Sequence, residues 1–413
     1  MKDAIRSNIN EPKQLERMYR NSKGNFKREF KLICPEIQGS ASADFWNERL
    51  NYESDDIHWG TTTDFTFVII ASLLAGILAK FPAFLAIDED FFYPRNLGFI
   101  IFPFLAIYFA WKHKSSTFNI AIIAAATIAS VIYINLLPET VSDTLILSCI
   151  HLPLFLWSVL GFAFTGSKGD VCQKRMTFLK YNGDLVVMAA LIVIAGGILT
   201  GITIGLFSLI GFNITEFYFE YIGVFGLAAA PIVATHLTQT NPQLVGKVSP
   251  VIAKLFSPLV LVMLVIYLIA IAYSGKDPYN DREFLLLFNS LLIGVMAIIF
   301  FSIAESSKTS KSRAEIYILL TLSIVTILVN GVAISAILFR IAEWGITPNR
   351  ISVLGANALI LVNLLLVSIK LYNVLSRRSK LSDVGMSVAS YLPLYVVWTI
   401  IVTFLFPLLF GFN

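Results

Sequence analysis

Eleven apolar runs separated by polar loops form the dominant pattern of this chain. A helix that crosses a bilayer needs about 20 mostly apolar residues. The runs 65–87, 97–111, 118–137, 144–165, 185–211, 218–235, 251–273, 284–304, 316–341, 350–370 and 388–410 predict eleven such helices. The run from Leu97 to Trp111 is short, so it either crosses with little tilt or pairs with the first as a re-entrant hairpin. Pro393 and Pro407 leave the ends of the last run open. The first 64 residues are polar, and nothing in them reads as a cleavable signal, so the first span is expected to act as the targeting signal. Helical spacing is still present there. Pro12 follows Glu11 at a helix start, with Leu15, Met18 and Tyr19 at i, i+3 and i+4. Phe26, Phe30 and Ile33 repeat that spacing, and Phe45, Trp46 and Leu50 predict a third short helix. The expected fold is an all-α polytopic transmembrane helix bundle over 65–413, preceded by a small helical extension over 1–64. That extension either caps the cytoplasmic loops, lies on the membrane surface, or binds a cytoplasmic protein partner through residues 1–60.

Composition agrees with the pattern. Apolar residues make up 56% of the 413 and charged residues 14%, against roughly 25% charged in soluble domains. Mean hydropathy is +0.75. No soluble core could bury this much apolar surface, whereas a lipid bilayer suits it.

The cationic residues alternate from loop to loop. Ten Lys and Arg precede residue 64. The loops after spans 2, 4, 6, 8 and 10 carry two, four, two, three and four, which brings this side to 25 of the 31. The other side holds only Arg95, Lys276, Arg282, Arg340 and Arg350, while Lys80 sits late in the first span. Cationic loops stay in the cytoplasm, so the N-terminus is expected inside and the C-terminus outside. The net +4 therefore divides into about +9 inside and about −5 outside. This asymmetry reads as topology plus attraction to anionic inner-leaflet lipid, or as cation attraction at an acidic outer mouth.

Ionisable groups within the spans are scarce, and any such group is a functional candidate. His151 either bonds across helices or relays protons. Lys80, Glu220 and Glu305 lie near span ends, where long side chains reach the interface. Asn289, Asn330, Asn357 and Asn363 are expected to bond neighbouring helices. The scarcity speaks against a carrier with a central carboxylate relay. Gly197, Gly201 and Gly205 are four apart, a spacing that lets helix backbones approach within the bundle or across an oligomer interface. Prolines 82, 103, 153, 231, 258 and 393 kink or pack the spans.

The most specific local sequence runs from Arg340 to Arg350. Gly345 suits the position after a helix C-terminus, Thr347 an N-cap and Pro348 the first helical turn. Together they predict a tight helix–turn–helix. Arg350 opposes the dipole of the helix it opens, so it calls for an anionic partner: Glu343 or another outer acid, or a bound anion such as a lipid phosphate. Arg340, Glu343, Thr347, Asn349 and Arg350 are the candidate ligand-binding residues, for an anionic lipid or a small solute. The pattern Arg-x-x-Glu-x-Gly-x-Thr-x-Asn-Arg resembles one in bacterial multi-pass membrane proteins known only as domains of unknown function. That resemblance implies a bacterial inner-membrane location and no particular activity. There is no glycine-rich phosphate loop, metal-spaced His/Cys cluster or nucleophile elbow. No catalytic residue, metal, cofactor or nucleic-acid partner is therefore expected. The leading expectation is a permease-like or channel-like protein that moves a small solute or lipid component. The alternatives are a membrane sensor or assembly partner working through the N-terminal arm, and an intramembrane enzyme on lipid-linked substrates.

Overall fold

The computed structural model describes residues 2–22, 26, 29–30, 32–37, 40–51, 60–140, 142–166, 169–209, 213–246, 248–274, 279, 282–305 and 313–412. The chain divides into two units, Met1–His58 and Trp59–Asn413. Neither contains a β-strand among the described residues.

The N-terminal unit holds helices α1 (Lys2–Ser7), α2 (Pro12–Asn21) and α3 (Ala41–Asn51). Pro12 opens α2 at its first position, where the missing N–H costs nothing. Ile5, Leu15, Phe26, Phe30, Ile33, Trp46 and Leu50 form one buried core, so the helically spaced apolar residues do converge. Helix α1 escapes the sequence pattern because Ile5 is its one core residue. Glu16 joins α2 to α3 by accepting from Arg20 and Arg49 at 2.8 Å each.

Among the described residues the second unit contains eleven long helical segments: α4 (Thr62–Ala79), α5 (Glu89–Lys112), α6 (Thr117–Leu136), α7 (Asp143–Thr165), α8 (Val171–Leu209), α9 (Thr215–Thr240), α10 (Val248–Ser274), α11 (Arg282–Glu305), α12 (Arg313–Trp344), α13 (Pro348–Leu375) and α14 (Leu381–Leu409). Among the described residues nine are long and apolar enough to cross a membrane. The other two, α10 and α11, are helices of 27 and 24 residues. Exposed Ile194, Ile198, Leu199 and Ile202 on α8 suit lipid rather than water. The chain is a multi-pass membrane protein.

Three boundaries differ from the sequence pattern. Helix α4 stops at Ala79, because the chain re-starts as a short helix over Phe81–Leu85 and then enters the left-handed region at Ala86. The second span starts at Glu89, capped by the Asp88 side chain, and is no short stub. Polar Arg95 and Asn96 hid its first half, yet both are buried and bonded. Helix α8 starts at Val171, 14 residues before the apolar run, and its polar first turns carry the site described below.

Helices α4 and α9 pack antiparallel, and a Cβ at Gly76 would overlap the Phe225 ring. One buried core joins α4, α5, α7 and α9 to Phe178 and Tyr181 of α8. Another joins α10 to α14 to Met176 and Leu179 of α8. The first half of α8 is thus the seam between two helix groups.

Candidate functional site

Five consecutive residues of α8, Lys180 to Asp184, each do a different job at that seam. Lys180 Nζ donates to both oxygens of Glu305, at the end of α11, at 2.5 and 2.7 Å. It also lies 3.2 Å from Asp184 Oδ2, one turn on. The Tyr181 hydroxyl bonds the Thr235 hydroxyl of α9 at 2.8 Å. Asn182 accepts from Trp157 Nε1 of α7 at 2.8 Å and donates to its own helix at the Phe178 carbonyl. Gly183 has no Cβ because Phe301 of α11 fills that place. One helical turn thus contacts α7, α9 and α11, which a 3.6-residue period permits because successive side chains point about 100° apart.

The cluster is well shielded. The side chains of Lys180 and Asp184 are each 17% exposed and that of Glu305 is 8% exposed. Two carboxylates face one ammonium, so the formal charges of the cluster sum to −1 among the described residues. Asp184 Oδ1 is buried and accepts no hydrogen bond among the described residues. Isolated charges in a low-dielectric surround are costly, which is why all three groups meet.

Sequence reasoning missed this site. Counting cations by loop places Lys180 between spans, the place of Glu305 near a span end predicts that it reaches the interface, and the apolar pattern does not mark Asp184. A signal did exist. Lys180 and Asp184 are four apart, the spacing of neighbours on a helix face, and Phe178, Leu179 and Tyr181 extend the apolar pattern back through them.

Two further ion pairs tie helix ends together. Lys80, 5% exposed, bonds Glu220 at 2.8 Å. Glu220 lies in a π-helical stretch, Tyr218–Gly223. The two meet each other, with the Lys80 side chain 7% exposed and that of Glu220 44% exposed. Asp64 at the start of α4 pairs with Lys112 at the end of α5 at 2.5 Å. His151 bonds the Leu147 carbonyl of its own helix at 2.9 Å rather than crossing to another. Asn289 accepts from Asn357, whose carbonyl accepts from Asn330, so α11, α12 and α13 are joined as expected.

The turn between α12 and α13 has the predicted backbone. Gly345 has φ +78°. Thr347 caps α13 by accepting from the Arg350 N–H at 3.3 Å, and Pro348 is the first helical residue. The partner of Arg350 is different. Its guanidinium donates to the carbonyls of Trp344 and Gly345 at 2.9 and 2.6 Å. It answers the negative end of α12's dipole rather than an acid. Arg340 donates to the Tyr279 carbonyl at 2.8 Å, and both guanidiniums lie over the Trp344 ring. Glu343 is exposed and forms no ion pair among the described residues; Asn349 is half-buried. Thr347 and Arg350 thus hold the turn, and the guanidiniums of Arg340 and Arg350 meet over one ring, that of Trp344.

Gly197, Gly201 and Gly205 meet the first of their two expected roles, packing within the bundle, nowhere among the described residues. A Cβ built on any of them meets no atom within 4 Å among the described residues, so this stripe does not pack within the bundle. The helix to which it belongs turns that part outward. Separately, a groove of about 680 Å³ in the N-terminal unit runs between α2 and α3, lined by Pro12, Glu16, Arg20, Phe45, Trp46 and Arg49. No family model, curated protein or solved structure matches the chain.

Proposed function

We propose that this chain is a permease-like or channel-like membrane protein that moves a small solute or lipid component along the seam beside α8. The observation that supports this is the buried Lys180–Asp184–Glu305 cluster between two buried cores of the bundle. Buried ionisable groups in a membrane helix bundle characteristically mark solute or ion paths. Two π-helical stretches, at Tyr218–Gly223 and Ile401–Leu405, add local irregularity of the kind common at functional sites. We place the N-terminus in the cytoplasm from the positive-inside distribution. The turn resemblance favours a bacterial inner membrane. The test is solute flux into proteoliposomes across a broad panel, with Glu305→Gln in parallel. Selective flux reduced at least tenfold by Glu305→Gln supports the reading; no selective flux from folded protein overturns it.

A second reading rests on the groove between α2 and α3, where Phe45 is an exposed aromatic. In it the chain is a sensor or assembly partner that docks a protein through the N-terminal unit. Deleting residues 1–58 would then abolish the cellular phenotype and leave insertion intact, whereas an unchanged phenotype would remove this reading.

A further inference from the structure

We infer that the Lys180–Asp184–Glu305 cluster binds one small monovalent inorganic cation at the free side of the Asp184 carboxylate. The inference rests on reading the seam as a solute path. An ammonium has three N–H donors. Lys180 donates to Glu305 Oε1 and Oε2, and its Nζ lies 3.2 Å from Asp184 Oδ2 as an ion pair. Lys180 thus meets Asp184 on the Oδ2 side, and Asp184 Oδ1 remains buried without a donor among the described residues. The neighbours on α8 do not supply one: the Tyr181 hydroxyl bonds that of Thr235, and the Asn182 amide donates to the Phe178 carbonyl. The nearest other cations of α8 serve carbonyls elsewhere: Lys174 bonds Thr165 and Arg175 bonds Ala389.

A water molecule could satisfy the hydrogen bond of Asp184 Oδ1. It could not neutralise the cluster, which stays at one negative charge among the described residues. In a low-dielectric surround that charge is the larger debt. A monovalent cation brings the total to zero, while a divalent one would reverse it. The donor set agrees. Hard cations favour carboxylate oxygen, and no group of three or more His, Cys, Asp or Glu that would hold a multivalent metal gathers among the described residues. Lys180 then acts as a tethered competitor that holds the two carboxylates in place and keeps the affinity modest.

The experiment is a melting-temperature titration of the full chain in detergent. Sodium, potassium, caesium and N-methylglucamine chlorides are compared at equal ionic strength. A ligand that binds the native state raises the apparent stability by mass action. Expected is a saturable rise of about 3–5 °C in one of the small cations over N-methylglucamine. Asp184→Asn keeps the Lys180–Glu305 pair, leaves the cluster neutral and should abolish that rise. Lys180→Gln removes the competitor and should lower the half-saturating cation concentration at least tenfold. Equal melting in all four salts, or a rise retained in Asp184→Asn, overturns the inference. So does a half-saturation unchanged in folded Lys180→Gln; should that variant fail to fold, the wild type and Asp184→Asn decide. Flux in proteoliposomes separates this inference from the reading beneath it. A cation-dependent melt without flux leaves the site standing and sinks transport. Selective flux without a cation-dependent melt leaves transport standing and sinks the site.

Discussion

Arg95 is 3% exposed, yet it pairs with no carboxylate among the described residues. Its guanidinium instead donates to the carbonyls of Ile134, Leu137 and Pro138 at 2.6, 3.1 and 2.9 Å. Ile134 lies in the last turn of α6 and the other two follow it, a place where helix carbonyls have no partner of their own. The planar fork of arginine can reach several acceptors at once. Arg95→Gln should therefore cost about 2–4 kcal/mol, since buried acceptors lose charged donors. Arg95→Lys should recover less than half of that, because one ammonium cannot span three carbonyls. Chemical or thermal unfolding of the purified protein measures both, and wild-type stability in Arg95→Gln would discard this account. The same residue shows what a sequence conceals. Counting cations by loop put Arg95 outside the membrane, because backbone carbonyls appear nowhere in a list of side chains. Lys180 was misplaced for a related reason: its partners Asp184 and Glu305 lie 4 and 125 residues away, and the distant one is invisible until α8 and α11 pack together. The one legible charge signal was the four-residue spacing of Lys180 and Asp184.

At the scale of elements, local chemistry was the most legible. Gly345, Thr347 and Pro348 each have a backbone role that does not depend on the rest of the fold, and all three occupy it. The partner of Arg350 does depend on where the end of α12 comes to lie, and it proved to be that helix's carbonyls. Thr347→Ala should cost about 1 kcal/mol through the lost N-cap. Arg350→Ala should cost at least as much, because two carbonyl bonds go. Neither should change solute flux per folded molecule; a flux loss larger than the loss of folded protein would restore the turn as a ligand site. The end of α5 gives a pH dependence. His113, just past Lys112, packs its ring 5.6 Å from Phe109 and 5.5 Å from Phe164. Desolvation there lowers its pKa below the usual 6.5, and the charge of Lys174 adds to the effect. The unfolded chain then takes up a proton near 6.5 while the folded protein stays neutral. Stability is full above that pH and is lost as pH falls toward the lowered folded value. Melting temperature should decline from about pH 6.5 downward, and His113→Gln should flatten that part of the curve. An identical slope in His113→Gln would assign the decline to other groups.

At the scale of the whole molecule, each apolar run falls on a long helix of the second unit, nine of them long and apolar enough to cross a membrane among the described residues, because hydrophobic length is a property of the chain itself. The seam was not foretold. Two helix groups with separate cores can be recognised only after long-range packing, since Met176 and Leu179 join one and Phe178 and Tyr181 the other within six residues of α8. The outward glycine stripe of α8 fails for the same reason: spacing tells that a face is flat but not what meets it. Orientation is the property on which the sequence speaks and the fold is silent, because eleven helices packed this way look the same in either sense across a bilayer. The positive-inside rule acts on short loops near span ends, and the loop containing Gly169 and the loop containing Thr140 lie at opposite ends of α7. Both residues are exposed, so a single cysteine at either is reachable once Cys34, Cys149 and Cys172 are replaced, the one at Gly169 carrying the backbone strain of its φ of +93°. With the N-terminus inside, Thr140→Cys should react with a membrane-impermeant maleimide in intact cells, and Gly169→Cys only after lysis. The reverse pattern would invert the protein. The cluster at Lys180, Asp184 and Glu305 lies nearer the Gly169 end of α8, so inversion would move it from the cytoplasmic half of the bilayer to the outer half. It would leave every contact within the cluster unchanged and alter only the side from which a cation reaches it first.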